Sequence, residues 1–125
     1  MKSIALEERL VNIPRPGAPV RGSQSGSPIM ALFDLLGRRW GMGVLWTLAE
    51  KGPCTFRALQ SACETISPAV LNARLKELQQ ARFVERGPNG YQVTVLGRQI
   101  YSDLLPLSKT SKRWALEMES KDVRD

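Results

Sequence analysis

The chain has 125 residues, of which 42% are hydrophobic and 24% are charged. This length suits one domain with its own core, and the composition is that of a globular chain rather than a disordered one. No run of about 18 apolar residues occurs, which excludes a membrane-spanning helix. Residues 1–26 also lack the apolar stretch of a signal peptide. We therefore expect a cytoplasmic protein with no membrane partner.

Basic residues outnumber acidic ones, 18 Lys and Arg against 12 Asp and Glu, and leave a net charge of +6. A basic domain favours polyanions such as nucleic acid. The chain has no histidine, which removes the commonest general base and the commonest metal ligand. It also has no glycine-rich phosphate loop and no paired carboxylates at catalytic spacing. We therefore expect no enzyme activity, no cofactor and no metal site.

The two cysteines, Cys54 and Cys63, are too few to build a zinc site. A disulfide between them would be unusual in a reducing cytoplasm. Two small buried side chains are therefore favoured over a redox pair, although the sequence leaves a response to oxidants open.

Residues 1–27 are predicted to form an N-terminal arm. Its first part, residues 4–13, carries apolar residues that suit one or two amphipathic turns and a contact with a second copy of the chain. Its second part, PRPGAPVRGSQSGS at 14–27, is rich in proline, glycine and serine, which predicts a flexible segment.

Three helices are predicted between residues 28 and 62. Ser27 followed by Pro28 is typical of a helix start, and apolar residues then recur at helical spacing until Gly37. A second helix is predicted over 40–50. Thr55 is suited to cap a third helix over 56–62.

A fourth helix is predicted to begin with Ser67 as its cap and Pro68 in its first turn. Its apolar residues share an arc of about 140°, the width of a core-facing stripe, and are Val70, Leu71, Leu75 and Leu78. The opposite arc holds small and polar residues, namely Ala69, Asn72, Ala73, Lys76 and Gln80. Small and amide-bearing residues at a helix N-terminus suit close approach to base edges.

A strand over 83–86, a turn over 87–90 and a strand over 91–95 are predicted next, because Asn-Gly is a strong hairpin signal. Thr94 is suited to cap a fifth helix through residue 105. Pro106 is expected to break that helix, and a last amphipathic helix over 107–118 precedes a charged tail, 119–125. The fold class is mainly α (α+β), a winged helix-turn-helix with a short two-stranded wing and terminal dimerisation helices.

The order and spacing of several pieces resemble the HxlR-type family of winged helix-turn-helix transcription regulators, relatives of the MarR group. The pieces are LLGRRW at 35–40, LWTL at 45–48, TFRAL at 55–59, ISP at 66–68 and LG at 96–97. The resemblance assigns residues 28–118 to one domain and implies DNA binding. Two departures are visible. Ser27 stands where many members have a cysteine, some of them oxidant sensors, and the wing turn at 87–90 is short.

DNA contacts are predicted mainly in the fourth helix and the wing, at Arg57, Ser67, Pro68, Ala69, Asn72, Arg74, Lys76, Arg86 and Asn89. For several of them a second interpretation stays open. Asn72 suits either a bidentate contact with adenine or simple solvation. Arg74 suits DNA or an ion pair with Glu77 or Glu64. Asn89 suits the minor groove or a turn that needs positive φ.

We predict a sequence-specific regulator that binds double-stranded DNA as a homodimer on a palindromic operator, with repression as the favoured outcome. Two copies that bind the two halves of a palindrome must associate. The predicted interface comprises Leu6, Leu10, Leu104, Leu105, Leu107, Trp114 and Met118. The alternative is a winged helix that binds a protein, for which we expect an exposed aromatic or aliphatic anchor. A small-molecule effector is left open, and none is identified.

Overall fold

The computed structural model describes residues 12–124, with side chains as far as residue 120. Within that range it has five helices and one two-stranded sheet. In chain order they are α1 (Pro28–Leu36), α2 (Gly41–Lys51), α3 (Phe56–Ala62), α4 (Pro68–Gln80), β1 (Val84–Gly87), β2 (Gly90–Val93) and α5 (Val95–Arg124). The predicted mainly α, winged helix-turn-helix order is confirmed. Leu6, Leu10 and the amphipathic turns predicted before residue 12 lie outside the described residues.

The core lies around α2, which packs against α1, α3, α4, α5 and β2. Its largest fully buried side chains come from three helices and are Val44, Leu45, Leu48, Leu59, Leu71, Leu75 and Leu78. Burial of each such side chain contributes about 1.5–3 kcal/mol before the entropy cost of ordering it. Within residues 12–124 no helix combines the length and the hydropathy that crossing a bilayer requires.

The wing is an antiparallel pair in which Val84 faces Val93 and Gly87 faces Gly90. It is tied to the segment between α2 and α3, because Cys54 and Tyr91 exchange two backbone hydrogen bonds of 3.0 and 2.8 Å. Gly90 has φ +113°, and a Cβ there would collide with the carbonyl oxygen of Cys54. The positive φ of the turn thus falls on Gly90 and not on Asn89, so the backbone reason offered for Asn89 is wrong.

The break predicted at Pro106 is also wrong, because α5 continues through it to Arg124. A proline inside a helix removes one N–H donor and crowds the preceding turn, at a cost of about 3 kcal/mol. Pro106 is exposed, so no core packing is disturbed where the helix accommodates it. One long helix therefore replaces the two predicted ones and runs into the 119–125 segment.

Thr94 caps α5 as predicted, since its Oγ1 accepts a 3.0 Å hydrogen bond from the Gly97 N–H. The same hydroxyl donates to the Arg82 carbonyl at 2.8 Å. A Cβ on Gly97 would meet the Phe83 carbonyl oxygen, so only glycine allows α5 to pass this close to the start of the wing.

The described part of the arm folds against α1. Ile13 is buried, the Gly17 N–H donates to the Gly26 carbonyl at 2.8 Å, and Val20 and Ser23 form an isolated bridge. Arg21 also reaches Asp34 of α1 at 3.4 Å. The composition of this segment predicts flexibility, whereas hydrogen bonds within the arm and the contact of Arg21 with α1 give it a defined path.

Candidate nucleic-acid interface

Two capped helices form the predicted helix-turn-helix. Thr55 Oγ1 accepts from the Ala58 N–H and Ser67 Oγ accepts from the Val70 N–H, both at 3.2 Å, so both predicted caps are confirmed. Between the helices, Glu64 adopts a left-handed conformation with φ 64°, and Ile66 is buried in the core. The turn is therefore anchored on the inside, and the N-terminus of α4 projects outward.

The two faces of α4 divide as the periodicity predicts. Leu71, Leu75 and Leu78 are buried, with at most 1% of each exposed. The exposed residues are those predicted to approach DNA from the start of the helix, namely Ser67, Pro68, Ala69, Asn72 and Lys76. The Ala69 N–H has no acceptor among the described residues. A free N–H at a helix N-terminus is a ready donor to a phosphate.

Arg74 forms an ion pair within α4. Its Nη1 lies 3.3 Å from Glu77 Oε1, and its side chain is only 18% exposed. Arg38 reaches the other carboxylate oxygen of Glu77 at 2.9 Å. Of the two interpretations left open for Arg74, the structure shows the ion pair, because the residue sits on the flank of α4 that faces the turn between α1 and α2.

The wing presents Arg86 and Asn89, both exposed. Arg86 is not free to rotate: its guanidinium stacks 4.7 Å from the Tyr91 ring centroid and donates to the Tyr91 hydroxyl at 2.8 Å. On the opposite face of the ribbon, Gln92 donates to Glu85 at 2.9 Å. The wing thus offers one oriented cation and one amide beside α4.

The charge around α4 is mixed but mainly positive. Arg57 and Lys76 are exposed as predicted, and Arg82 is an exposed cation that the sequence analysis missed. Arg82 follows α4 in a left-handed conformation, φ 69°, which helical periodicity does not indicate. Glu64, exposed in the turn, lowers the local positive potential.

Most of the predicted dimer residues on α5 are exposed, including Leu105, Leu107, Met118 and Trp114, the last 66% exposed. Leu104 differs, because it packs against the core. Large exposed apolar side chains that the predicted interface does not include are Ile29, Phe33, Met42, Val95, Leu96 and Leu116. Leu116 lies off the stripe that joins 107, 114 and 118, and Phe33 of α1, 59% exposed, was counted as part of an ordinary apolar helix face.

Cys54 and Cys63 are free thiols buried in the core, as the favoured interpretation predicts. Burial raises the pKa of Cys54 against an opposing effect of Lys51, and burial raises the pKa of Cys63 against a hydrogen bond with Thr47. A raised pKa keeps a thiol protonated and unreactive. Across the described residues, His, Cys, Asp and Glu side chains form no group of three that could hold a metal ion.

A capped α3, a tight turn, an outward α4 and an antiparallel ribbon together define a winged helix-turn-helix protein. A model of the HxlR-like helix-turn-helix family matches residues 35–119. The chain belongs to this family.

Two curated relatives carry the names of regulators rather than enzymes. The chain is 41% identical over 54 residues to the HTH-type transcriptional regulator YodB of Bacillus subtilis (strain 168), a match that covers 43% of the chain and 47% of YodB. It is 33% identical over 60 residues to the uncharacterized HTH-type transcriptional regulator BH0655 of Halalkalibacterium halodurans, covering 48% and 53%. The matches therefore span about half the length of these relatives.

Solved structures agree with the fold. The quinone-bound structure of B. subtilis YodB is similar with a TM-score of 0.59 at 31% identity, over 71% of this chain and 96% of that one. A structure described as a possible HxlR family transcriptional factor from Thermoplasma volcanium has a TM-score of 0.59 at 25% identity, over 67% and 81%.

Proposed function

We propose that this protein is a transcription regulator that binds double-stranded DNA sequence-specifically, as a homodimer on a palindromic operator. The observation that carries the proposal is the exposed N-terminal face of α4. There the described residues present a free N–H, an amide and a cation, with no large apolar side chain among the exposed ones. That is the chemistry of a helix that enters a major groove.

The side chains divide into those that position and those that specify. Ser67 and the Ala69 N–H meet a phosphate, Arg57 and Lys76 meet the backbone on either side, and these contacts supply most of the affinity. Asn72 reads adenine through a bidentate contact. Arg86 and Asn89 flank the adjacent minor groove. Because Arg74 is engaged by Glu77, it supports α4 rather than contacting a base.

Dimerisation follows from the apolar surface that α5 leaves uncovered. Leu107, Trp114 and Met118 are exposed in the single chain, and a second copy related by a two-fold axis would cover them. That same axis places two copies of α4 in successive major grooves about 34 Å apart. Repression is the simplest outcome, because a dimer lying across a promoter blocks access to it.

A response to a small molecule completes the proposal, since YodB has been solved bound to a quinone. Quinones are electrophiles that react with thiolates, and both thiols of this chain are buried with raised pKa values. We therefore propose an effector that acts without a covalent bond to cysteine.

The alternative, a protein-binding winged helix, gains no support from α4. Such a face should carry an aromatic or aliphatic anchor. The exposed large apolar residues of the described chain lie on α1, α2 and α5.

The test begins with selection of random duplexes on immobilised protein, followed by footprinting of the enriched sequence. We expect two symmetric protected half-sites about 10 base pairs apart. A pool with no enriched sequence after selection would remove sequence-specific binding from the proposal.

Variants then assign the contacts on the selected duplex by fluorescence anisotropy. Asn72→Ala should weaken binding about 5- to 150-fold and relax the preference at one base pair. Lys76→Ala should weaken binding to all sequences and lower the salt slope by about 1. Gln99→Ala and Lys109→Ala remove the same groups from exposed positions on α5. If Asn72→Ala behaved like Gln99→Ala, the assignment of α4 as the reading helix would be wrong.

A further inference from the structure

A cavity of about 520 Å³ opens between the folded arm and α1, within the range of small-molecule sites. Apolar groups of Ile13, Pro14, Pro19 and Val20 form part of its wall. Its charged lining comprises Arg15, Arg21, Asp34 and Arg38. Apolar and charged groups thus meet in this cavity, and the ligand that it suits depends on which of the charged groups are already engaged.

The carboxylate of this lining is already engaged. Asp34 Oδ1 lies 3.4 Å from Arg21 Nε, and Asp34 Oδ2 accepts from the Arg21 backbone N–H at 3.3 Å. Asp34 therefore neutralises Arg21 and leaves the charge of Arg38 to be compensated by other groups.

Arg38 uses only one nitrogen for its described contacts. Nη1 donates to Glu77 Oε2 and to the Asn12 carbonyl, both at 2.9 Å. Its Nε and Nη2 have no acceptor among the described residues, on a side chain that is 25% exposed. That edge of a guanidinium can donate two parallel hydrogen bonds to one carboxylate.

Glu77 cannot compensate the positive charge beside the cavity. Its carboxylate serves Arg38 and Arg74 together, and Arg74 Nε is buried with no hydrogen-bond partner. Two part-buried guanidiniums therefore share one carboxylate. Incompletely compensated charge in a part-buried site costs free energy. A second carboxylate, placed against Arg38 from the cavity side, would offset part of that cost.

We propose that this cavity is the binding site of a small organic carboxylate. The carboxylate pairs with the Nε and Nη2 edge of Arg38, and the apolar body lies against Ile13, Pro14 and Val20. Arg38 thereby becomes the residue through which the ligand reaches α4, because its Nη1 holds Glu77 of that helix.

The consequence for regulation rests on the proposed function. A ligand that draws Arg38 toward the cavity weakens its hold on Glu77, which loosens the placement of α4 and lowers DNA affinity. The coupling equals the difference in ligand affinity between the two placements of Arg38.

The site itself is tested without DNA, by calorimetric titration of the full chain with benzoate and with benzamide at constant ionic strength. Benzoate should bind saturably and benzamide about tenfold or more weakly, since a charged hydrogen bond is lost. Arg38→Gln should abolish benzoate binding, and Arg113→Gln, the same change at an exposed site on α5, should not affect it. Equal binding of benzoate and benzamide, or of benzoate to wild type and Arg38→Gln, would overturn the site.

A second variant covers the case in which Arg38→Gln does not fold, which a thermal melt would show. Asp34→Asn removes the one carboxylate of the described lining and should tighten benzoate binding several-fold. Unchanged or weaker binding to a folded Asp34→Asn chain contradicts the anion site.

The coupling is tested by anisotropy on the selected duplex with and without benzoate. The coupling is supported if benzoate weakens DNA binding by the wild-type chain and has no effect on DNA binding by Arg38→Gln. Bound benzoate that leaves DNA affinity unchanged overturns the coupling. A wild-type chain that does not bind the duplex even without benzoate would instead count against the proposed function.

Discussion

Helix α4 and the distal half of α5, residues 107–120, expose opposite kinds of surface. α4 buries Leu71, Leu75 and Leu78 inside its own chain and exposes small and polar groups. Distal α5 is exposed almost throughout and still carries Leu107 and Trp114 in solvent. The polar face of α4 gains free energy from a ligand with hydrogen-bonding groups, whereas the apolar face of distal α5 gains it only by being covered.

The difference also separates two sources of helix stability. Packing holds α4 against α2 and β1, so its helix does not depend on a partner. A helix with little tertiary packing is marginal in water below about 12–15 residues. We therefore expect distal α5 to be fully helical only in the dimer.

The largest effect is expected from truncation in α4. Leu75→Ala should lower the free energy of unfolding by about 2–5 kcal/mol, because Leu75 is only 1% exposed and its truncation leaves a cavity in the core. Leu107→Ala, the same truncation on distal α5, should change the unfolding of the dilute monomer by less than about 0.5 kcal/mol. Urea denaturation at low concentration measures both, and equal losses would show that distal α5 is packed within the monomer.

The second prediction concerns association. Trp114→Ala should weaken dimerisation by about 30-fold or more, since a large aromatic at the centre of an interface contributes about 2 kcal/mol or more. Sedimentation equilibrium at low micromolar concentration measures the shift. The helical signal at 222 nm should fall at the same time, because distal α5 loses its cover.

Lys112→Ala is the matched control for Trp114→Ala, as an exposed residue of the same helix. It should leave the mass in solution unchanged. A Trp114→Ala chain that stays dimeric would place the interface elsewhere, with exposed Phe33 of α1 as the next residue to replace.

A smaller effect is expected at the helix cap. Ser67→Ala should lower stability by about 1 kcal/mol, because it removes the acceptor for the Val70 N–H. Ser111→Ala on distal α5 removes a hydroxyl that donates to the Ser108 carbonyl and should change stability by less than about 0.5 kcal/mol. Thermal unfolding of the two variants compares them directly, and equal effects would show that the Ser67 cap does not stabilise the fold.

The smallest expected effect is a dependence of folding stability on pH, caused by the two buried thiols of the core. Burial raises the pKa of Cys54 and Cys63 above their ordinary 9.0, so above pH 9 the unfolded chain loses thiol protons that the folded chain keeps. This contribution to stability is complete below pH 9 and declines as the pH rises. The difference between the urea midpoints at pH 8 and pH 10 should be smaller in Cys54→Ala/Cys63→Ala than in wild type. If the double variant loses as much stability between these pH values as wild type does, other groups cause the loss.

Local patterns predicted the elements whose cause is local. The caps at Thr55, Ser67 and Thr94 and the leucine stripe of α4 depend on residues three or four positions apart, and all appear as predicted. The break predicted at Pro106 was wrong, because helix propensity includes the cost of a proline but not the ability of an exposed helix to accommodate it. Among the site residues, Arg74 pairs with Glu77, one of the two carboxylates that the sequence offered it. That Arg38 of another element shares the same carboxylate is a contact that local patterns do not indicate.

The sequence by itself determined the fold class, the order of the elements and the exposed face of α4, because hydrophobic period and capping chemistry act over a few residues. Tertiary structure alone decided where the charges went. Contacts between residues far apart in the chain set the Arg38–Glu77 pair and the cavity beneath the arm. Such contacts depend on how elements dock, and no short-range pattern records that.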